Sequence, residues 1–146
     1  APPVLLVGHS AGGHLALWSA AGRSRAGVSG VLALAPVSDL AEAYRLDLDS
    51  GAVAALLGGG PEAVPDRYAE TDPGMNVPVP IPCVVVHGAL DQQVPVSMSR
   101  RYVARARAAG GEARLVELAD VEHFGLIDPE GPAWATVVDA LRSLHP

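Results

Sequence analysis

Three side chains far apart in the sequence are of types that could act together on a substrate: Ser10, Asp91 and His123. Ser10 sits in Gly8-His9-Ser10-Ala11-Gly12, a G-x-S-x-G run that marks a sharp strand-to-helix corner with the serine hydroxyl standing clear. Backbone crowds such a corner, so Gly8 and Gly12 are expected to supply room two positions either side of Ser10, and Gly13 to extend it. A helix opening at Ala11 turns its unpaired N–H groups and the positive end of its dipole toward Ser10. Negative charge develops there during attack on a carbonyl, so the position suits a nucleophile.

The elements around these residues follow from hydrophobic patterning. Val4 to Val7 reads as a buried strand and Leu15 to Ala21 as a helix that is apolar on nearly every side, ending near Gly22. A second apolar strand covers Val28 to Ala35 and stops at Pro36. Residues 37–80 lack strand character and read as a helical excursion. Asp39 followed by Glu42 resembles a capping box, and Ser50 is expected to cap another helix that runs to Leu57 before Gly58-Gly59-Gly60. Pro73, Pro78, Pro80 and Pro82 then predict an extended approach to a third strand, Cys83 to His87.

Asp91 follows that strand. A helix from Ser97 to Ala109 places Met98, Tyr102, Val103 and Ala106 on one face, and Gly110-Gly111 ends it. The strand Ala113 to Leu118 carries Arg114 and Glu117, which an edge strand tolerates and a strand buried on both faces does not. His123 follows, and a last helix starts near Pro132 with Trp134, Val137, Val138, Leu141 and Leu144 on its apolar stripe.

Strand and helix thus alternate four times, which predicts an α/β fold with a parallel sheet and right-handed crossovers. Ligand chemistry in such sheets sits at the carboxyl ends of the strands. Ser10, Asp91 and His123 follow the first, third and fourth strands, so they are expected to meet on one rim.

Composition narrows the partners. Of 146 residues, 49% are hydrophobic and 18% charged, which predicts a buried core rather than disorder. The formal charge of −6 argues against nucleic acid or an anionic membrane as partner. Arg100, Arg101, Arg105 and Arg107 share one predicted helix and read as its solvated face. The single cysteine, Cys83, lies in an apolar strand and reads as a core thiol. No stretch reaches the roughly 20 apolar residues of a membrane span. No histidines have ligand spacing beside a third ligand, so neither a metal nor a cofactor is expected. The first strand has interior character with nothing before it to cover its edge, so the chain is expected to be a partial domain over residues 1–146, lacking its N-terminal strands.

The runs Gly8-His9-Ser10-Ala11-Gly12-Gly13-His14-Leu15-Ala16, His87-Gly88-Ala89-Leu90-Asp91-Gln92-Gln93-Val94-Pro95 and Glu122-His123-Phe124 together resemble the α/β-hydrolase fold family, in its esterase, lipase and dipeptidyl-peptidase-like branches. The order Ser, Asp, His is the one that family uses. The resemblance covers almost the whole chain but only the second half of the family's domain. It implies a three-layer α/β/α architecture with four mainly parallel strands. It makes Ser10 the nucleophile, His123 the general base and acid, Asp91 the group that orients His123, and the Ala11 N–H one oxyanion donor. The family's second donor comes from a loop after an earlier strand, and no such run precedes Val4, so the chain by itself is expected to be inactive.

What the resemblance implies first is hydrolysis of a carboxylic ester through an acyl-enzyme. An amide hydrolase, similar to arylformamidases or to acyl-peptide and dipeptidyl peptidases, is the alternative. A non-catalytic chain, either truncated or pairing its first strand with a partner, is the rival from another class. Asp39 reads as a helix cap, and Asp120 and Asp128 as loop-shaping residues. Among the remaining histidines, His9 is expected to point away from the nucleophile, His14 to pack on the helix or line a pocket, His87 to belong to a strand end, and His145 to a frayed terminus.

Overall fold

The computed structural model describes residues 2–22 and 26–146. These form a four-stranded, wholly parallel sheet of β1 (Val4–His9), β2 (Val28–Leu34), β3 (Cys83–Gly88) and β4 (Ala113–Leu118) in the order β1-β2-β3-β4. All four predicted strands are present. The second is one residue shorter than expected because Ala35 turns to a positive φ of 45°.

Alternation along the two central strands sorts side chains to opposite faces. Val31, Ala33, Cys83 and Val85 face one layer and pack with Leu17 of helix α1 (Ala11–Ala21) and with Tyr102, Val103 and Ala106 of α5 (Val96–Ala108). Leu32, Leu34, Val84 and Val86 face the other, against Val137, Ala140 and Leu144 in and beside α6 (Trp134–Ser143). Three α/β/α layers result, as expected, with both faces of the two central strands covered by helices. Cys83 lies in this core, and burial pushes its thiol up to about 12. At the edges, β4 exposes Arg114 and Glu117, while Val4 and Val7 of β1 are half exposed. No described helix is long and apolar enough to cross a membrane.

The excursion after β2 holds α2 (Leu40–Arg45), α3 (Ala52–Leu57) and α4 (Pro65–Thr71). Asp39 accepts the Glu42 N–H at 3.0 Å, the expected cap. Ser50 does not cap α3. Asp47, Asp49, Ser50 and Gly51 all hold positive φ, and Gly51, without a side-chain acceptor, occupies the cap position. The extended approach begins later than predicted, because Pro73 starts a 3-10 turn, Pro73–Met75.

Asp72 ties this excursion back to α2, accepting the Leu40 N–H on Oδ1 at 2.8 Å while 3% exposed. Burial, with Asp39 nearby, pushes its carboxyl up to about 6 against the pull of the Leu40 N–H and Arg105. A carboxyl raised in the fold above its unfolded value of 3.8 favours folding at low pH and withdraws that stability as pH rises from about 4 through 6. Asp72→Asn keeps the acceptor without the charge. Its stability relative to wild type should therefore rise between pH 4 and 7, by up to about 3 kcal/mol for a shift from 3.8 to about 6. Thermal melts of the two proteins across that range check this, and parallel curves would contradict it.

Candidate active site

The first turn of the site is built by close backbone contact. Ser10 takes φ 59° and ψ −115°, a strained conformation for a residue with a side chain. It is held by Ser10 N–H donating to Leu34 O at 2.9 Å and by Ser10 O accepting from the His14 and Val37 N–H groups at 3.1 and 3.2 Å. A Cβ on Gly8 would lie 2.0 Å from Gly12 O, and one on Gly13 would lie 2.7 Å from Pro36 Cβ. Gly12 has open space around its would-be Cβ, so the steric need falls on Gly8 and Gly13 rather than on Gly8 and Gly12. Ala11 opens α1, and its N–H has no partner within the helix.

The second and third elements meet where β3 ends. Ala89 and Leu90 donate their N–H groups to Leu118 O and Val121 O at 2.8 and 3.0 Å, drawing the loop after β4 across the turn after β3. That passage requires glycine, since a Cβ on Gly88 would lie 2.1 Å from Val121 O. Gly88→Ala should cost at least 1 to 3 kcal/mol of stability, as overpacking against backbone does, and should displace His123. A chemical denaturation midpoint equal to wild type would contradict this.

The consequence is a short contact between Asp91 and His123. His123 Nδ1 donates to Asp91 Oδ2 at 2.6 Å, with the two side chains 4% and 0% exposed. The other oxygen, Oδ1, accepts the Gln93 and Val94 N–H groups at 2.9 and 2.8 Å. Burial alone would raise this carboxyl, but bonds from His87, the Val94 N–H, His123 and the Gln93 N–H outweigh it and hold the group at about 2. Asp91 is a carboxylate at any ordinary pH.

Ser10, Ala11 and His123 line one cleft of about 610 Å³. The Ser10 hydroxyl and His123 Nε2 make no hydrogen bond among the described residues, to each other included, and neither atom is fully buried. The far wall of the cleft comes from the excursion: Val37, Leu40, Leu46, Leu48, Val53 and Leu56. Asp47 and Asp49 stand at its edge with Gln92, Gln93 and Phe124.

One histidine behaves differently from expectation. His9 does not point away from the site: it lines the cleft, and its Nε2 donates to His123 O at 2.9 Å. Its ring lies 4.5 Å from that of His123, which Phe124 meets edge-on at 5.0 Å. Desolvation lowers the pKa of His9 despite its bond to that carbonyl, and His123 and His87 push it the same way. A neutral His9 spares His123 a neighbouring cation. His87 lies at the end of β3 as expected, and there it contacts Asp91 from within the core.

The other assignments follow the sequence. His14 lines the cleft and donates from Nε2 to Thr71 O at 2.9 Å, and Asp128 accepts the Glu130 N–H at 3.0 Å within its loop. The His145 ring bonds to Pro146 O at the terminus, and its backbone N–H donates to Arg142 O at 3.1 Å. Arg100 pairs with Glu117 at 2.6 Å on the exposed side of α5. No group of three or more His, Cys, Asp or Glu side chains among the described residues could hold a metal ion.

A parallel sheet with helices on both faces, carrying a serine on a left-handed corner and a histidine–aspartate pair at its carboxyl rim, is the architecture of the α/β-hydrolases, and this chain is of that class. Residues 3–136 match the family profile Peptidase_S9, the prolyl oligopeptidase family. The chain belongs to that family of serine hydrolases.

Solved structures agree on the fold. An acylaminoacyl peptidase in complex with Z-Gly-Gly-Phe-chloromethyl ketone superposes with a TM-score of 0.80 at 15% identity, over 99% of this chain and 24% of that one. Porphyromonas gingivalis dipeptidyl peptidase 4 gives 0.76 at 16% identity, over 96% and 19%. Native esterase 2 of Thermogutta terrifontis gives 0.70 at 20% identity, over 95% and 52%. The chain thus spans about a quarter of the first of these proteins and about half of the esterase. A comparison with curated protein sequences found no significant match.

Proposed function

We propose that this chain carries the nucleophile, base and acid of a hydrolase acting on carboxylic esters through an acyl-enzyme. The observation that supports it most is the 2.6 Å contact of His123 Nδ1 with Asp91 Oδ2 on the cleft that Ser10 lines. In this reading Asp91 fixes the proton of His123 on Nδ1, leaving Nε2 free to accept one. As Ser10 Oγ bonds to the ester carbonyl carbon, its proton passes to Nε2. The charge that develops on the carbonyl oxygen faces the Ala11 N–H at the helix start. The Ala11 N–H is the donor that this reading draws from the described residues.

When the tetrahedral species collapses, the carbon–oxygen bond to the alcohol breaks and the alcohol leaves with the Nε2 proton. Water then attacks the acyl-Ser10 ester, giving one proton to Nε2, and the carboxylic acid leaves as Ser10 regains its hydrogen. The apolar wall of Val37, Leu40, Leu46, Leu48, Val53 and Leu56 suits an apolar acyl group.

Family membership supports a second reading, hydrolysis of an amide or peptide bond by the same groups. Assays of the full-length protein with p-nitrophenyl acyl esters, peptide anilides and N-formylkynurenine separate the two. The ester reading expects a burst of nitrophenolate stoichiometric with protein and the highest kcat/KM on acyl esters. Faster turnover of anilides or of N-formylkynurenine would replace it with the amide reading, and no turnover of any would defeat both.

A further inference from the structure

Asp91 does not face His123 alone. His87, in β3 and 0% exposed, approaches the same carboxylate oxygen, its Nε2 3.2 Å from Asp91 Oδ2 and 2.8 Å from Val94 O. Both neighbours are acceptors, so Nε2 carries a proton, which it donates to Val94 O while standing in 3.2 Å contact with Asp91 Oδ2. The other ring nitrogen, Nδ1, is 2.6 Å from the hydroxyl of Ser99, also 0% exposed. Ser99 stands on the face of α5 that packs toward the sheet, next to Met98 and one turn before Tyr102 and Val103. The imidazole is therefore gripped at both ends, and no solvent reaches it.

We propose that His87, oriented by Ser99, is a positioning residue that fixes Asp91 Oδ2 for His123, extending the Ser10–His123–Asp91 arrangement by two buried groups. The inference rests on the serine-hydrolase reading above. Oδ1 is fixed by two backbone N–H groups of its own loop, which define where that atom sits but leave the carboxyl plane to pivot about it. His87 supplies the further point of attachment, on the oxygen that His123 uses. It comes from a sheet strand rather than a loop, so the carboxylate is referenced to the most rigid part of the molecule. A buried polar side chain in a strand otherwise composed of Cys, Val and Gly carries a desolvation cost, and its partners here account for that cost.

The test compares wild type, His87→Leu, His87→Gln and Ser99→Ala in the full-length protein. His87→Leu removes the donor at similar bulk, and His87→Gln restores an N–H near the Nε2 position. Misplacing a group that acts through another typically costs on the order of 10- to 100-fold. His87→Leu should thus lower kcat about 10- to 100-fold with KM unchanged, Gln should recover most of it, and Ser99→Ala should fall between. The downfield proton resonance of the His123–Asp91 bond should shift or broaden in His87→Leu and return in His87→Gln.

Wild-type kcat and an unmoved resonance in His87→Leu would overturn the proposal. So would a kcat loss that follows only the melting temperature and is not recovered by Gln. If His87→Leu does not fold, Gln and Ser99→Ala decide by the same two readouts. Failure of a fluorophosphonate to label wild-type Ser10 would defeat the hydrolase reading instead, and the resonance would then decide by itself whether His87 positions Asp91.

Discussion

Ser10→Ala should lower turnover of any acyl substrate in the full-length protein by roughly a millionfold, the loss seen when a triad nucleophile is removed, while the protein melts as wild type does. Both halves follow from the corner. The Ser10 hydroxyl has no hydrogen-bond partner among the described residues, so its loss leaves no buried group unsatisfied. The strained φ of 59° is imposed by Leu34 O, the His14 and Val37 N–H groups and the Gly8–Gly12 approach, all of which alanine retains. Stability should stay within about 0.5 kcal/mol, as for substitutions that remove no packing or hydrogen bond. Steady-state hydrolysis together with thermal unfolding checks the pair of statements. Residual turnover above a thousandth of wild type would mean that another group attacks the substrate.

Asp91→Asn should lower kcat by about 10,000-fold, the loss typical when the third triad member becomes an amide. The direction of that loss can be worked out from the bonds. The Gln93 and Val94 N–H groups select an oxygen at the Oδ1 position, which forces the amide NH2 toward His123 and His87. His123 Nδ1 would then accept rather than donate, its proton would move to Nε2, and Nε2 could no longer take the proton of Ser10. His87 Nε2–H would meet a second donor where it now meets a carboxylate. The variant should also lose acid-labile stability. Asp91 is held at about 2 in the fold against an ordinary 3.8, so its contribution is fully present above about 4 and lost as pH falls through 2. Nitrogen-15 NMR of the His123 ring reads the tautomer directly, and an unchanged Nδ1–H in Asp91→Asn would contradict the assignment.

The parallel sheet could be read from the sequence because strands buried on both faces leave an unbroken apolar signature, as in Val31 to Leu34 and Cys83 to Val86. Ser10, Asp91 and His123 could be placed on one rim because each follows a strand, and a parallel sheet delivers all strand ends to one side. The His87 contact could not be read. Four residues before Asp91 across a turn implies no contact, and the loop path that closes the pair depends on Val121 lying over Gly88. Two signals were present all the same: a histidine inside a wholly apolar strand demands buried partners, and Ser99 is the small polar residue on the inner face of α5. The place of His9 was hidden for a related reason, since its acceptor is the backbone carbonyl of a residue 114 positions away. The loop before α3 misled the cap reading because three consecutive positions, Asp49, Ser50 and Gly51, adopt left-handed backbone that side-chain type does not signal.

The claim on which the account turns is that Ser10 is the activated nucleophile, and intact-mass and peptide mass spectrometry after exposure of the full-length protein to an alkyl fluorophosphonate tests it most directly. One adduct per chain is expected, on Ser10, formed quickly in wild type, slowly in Asp91→Asn and absent in Ser10→Ala. An adduct that persists in Ser10→Ala, or a folded wild type left unmodified, would contradict it.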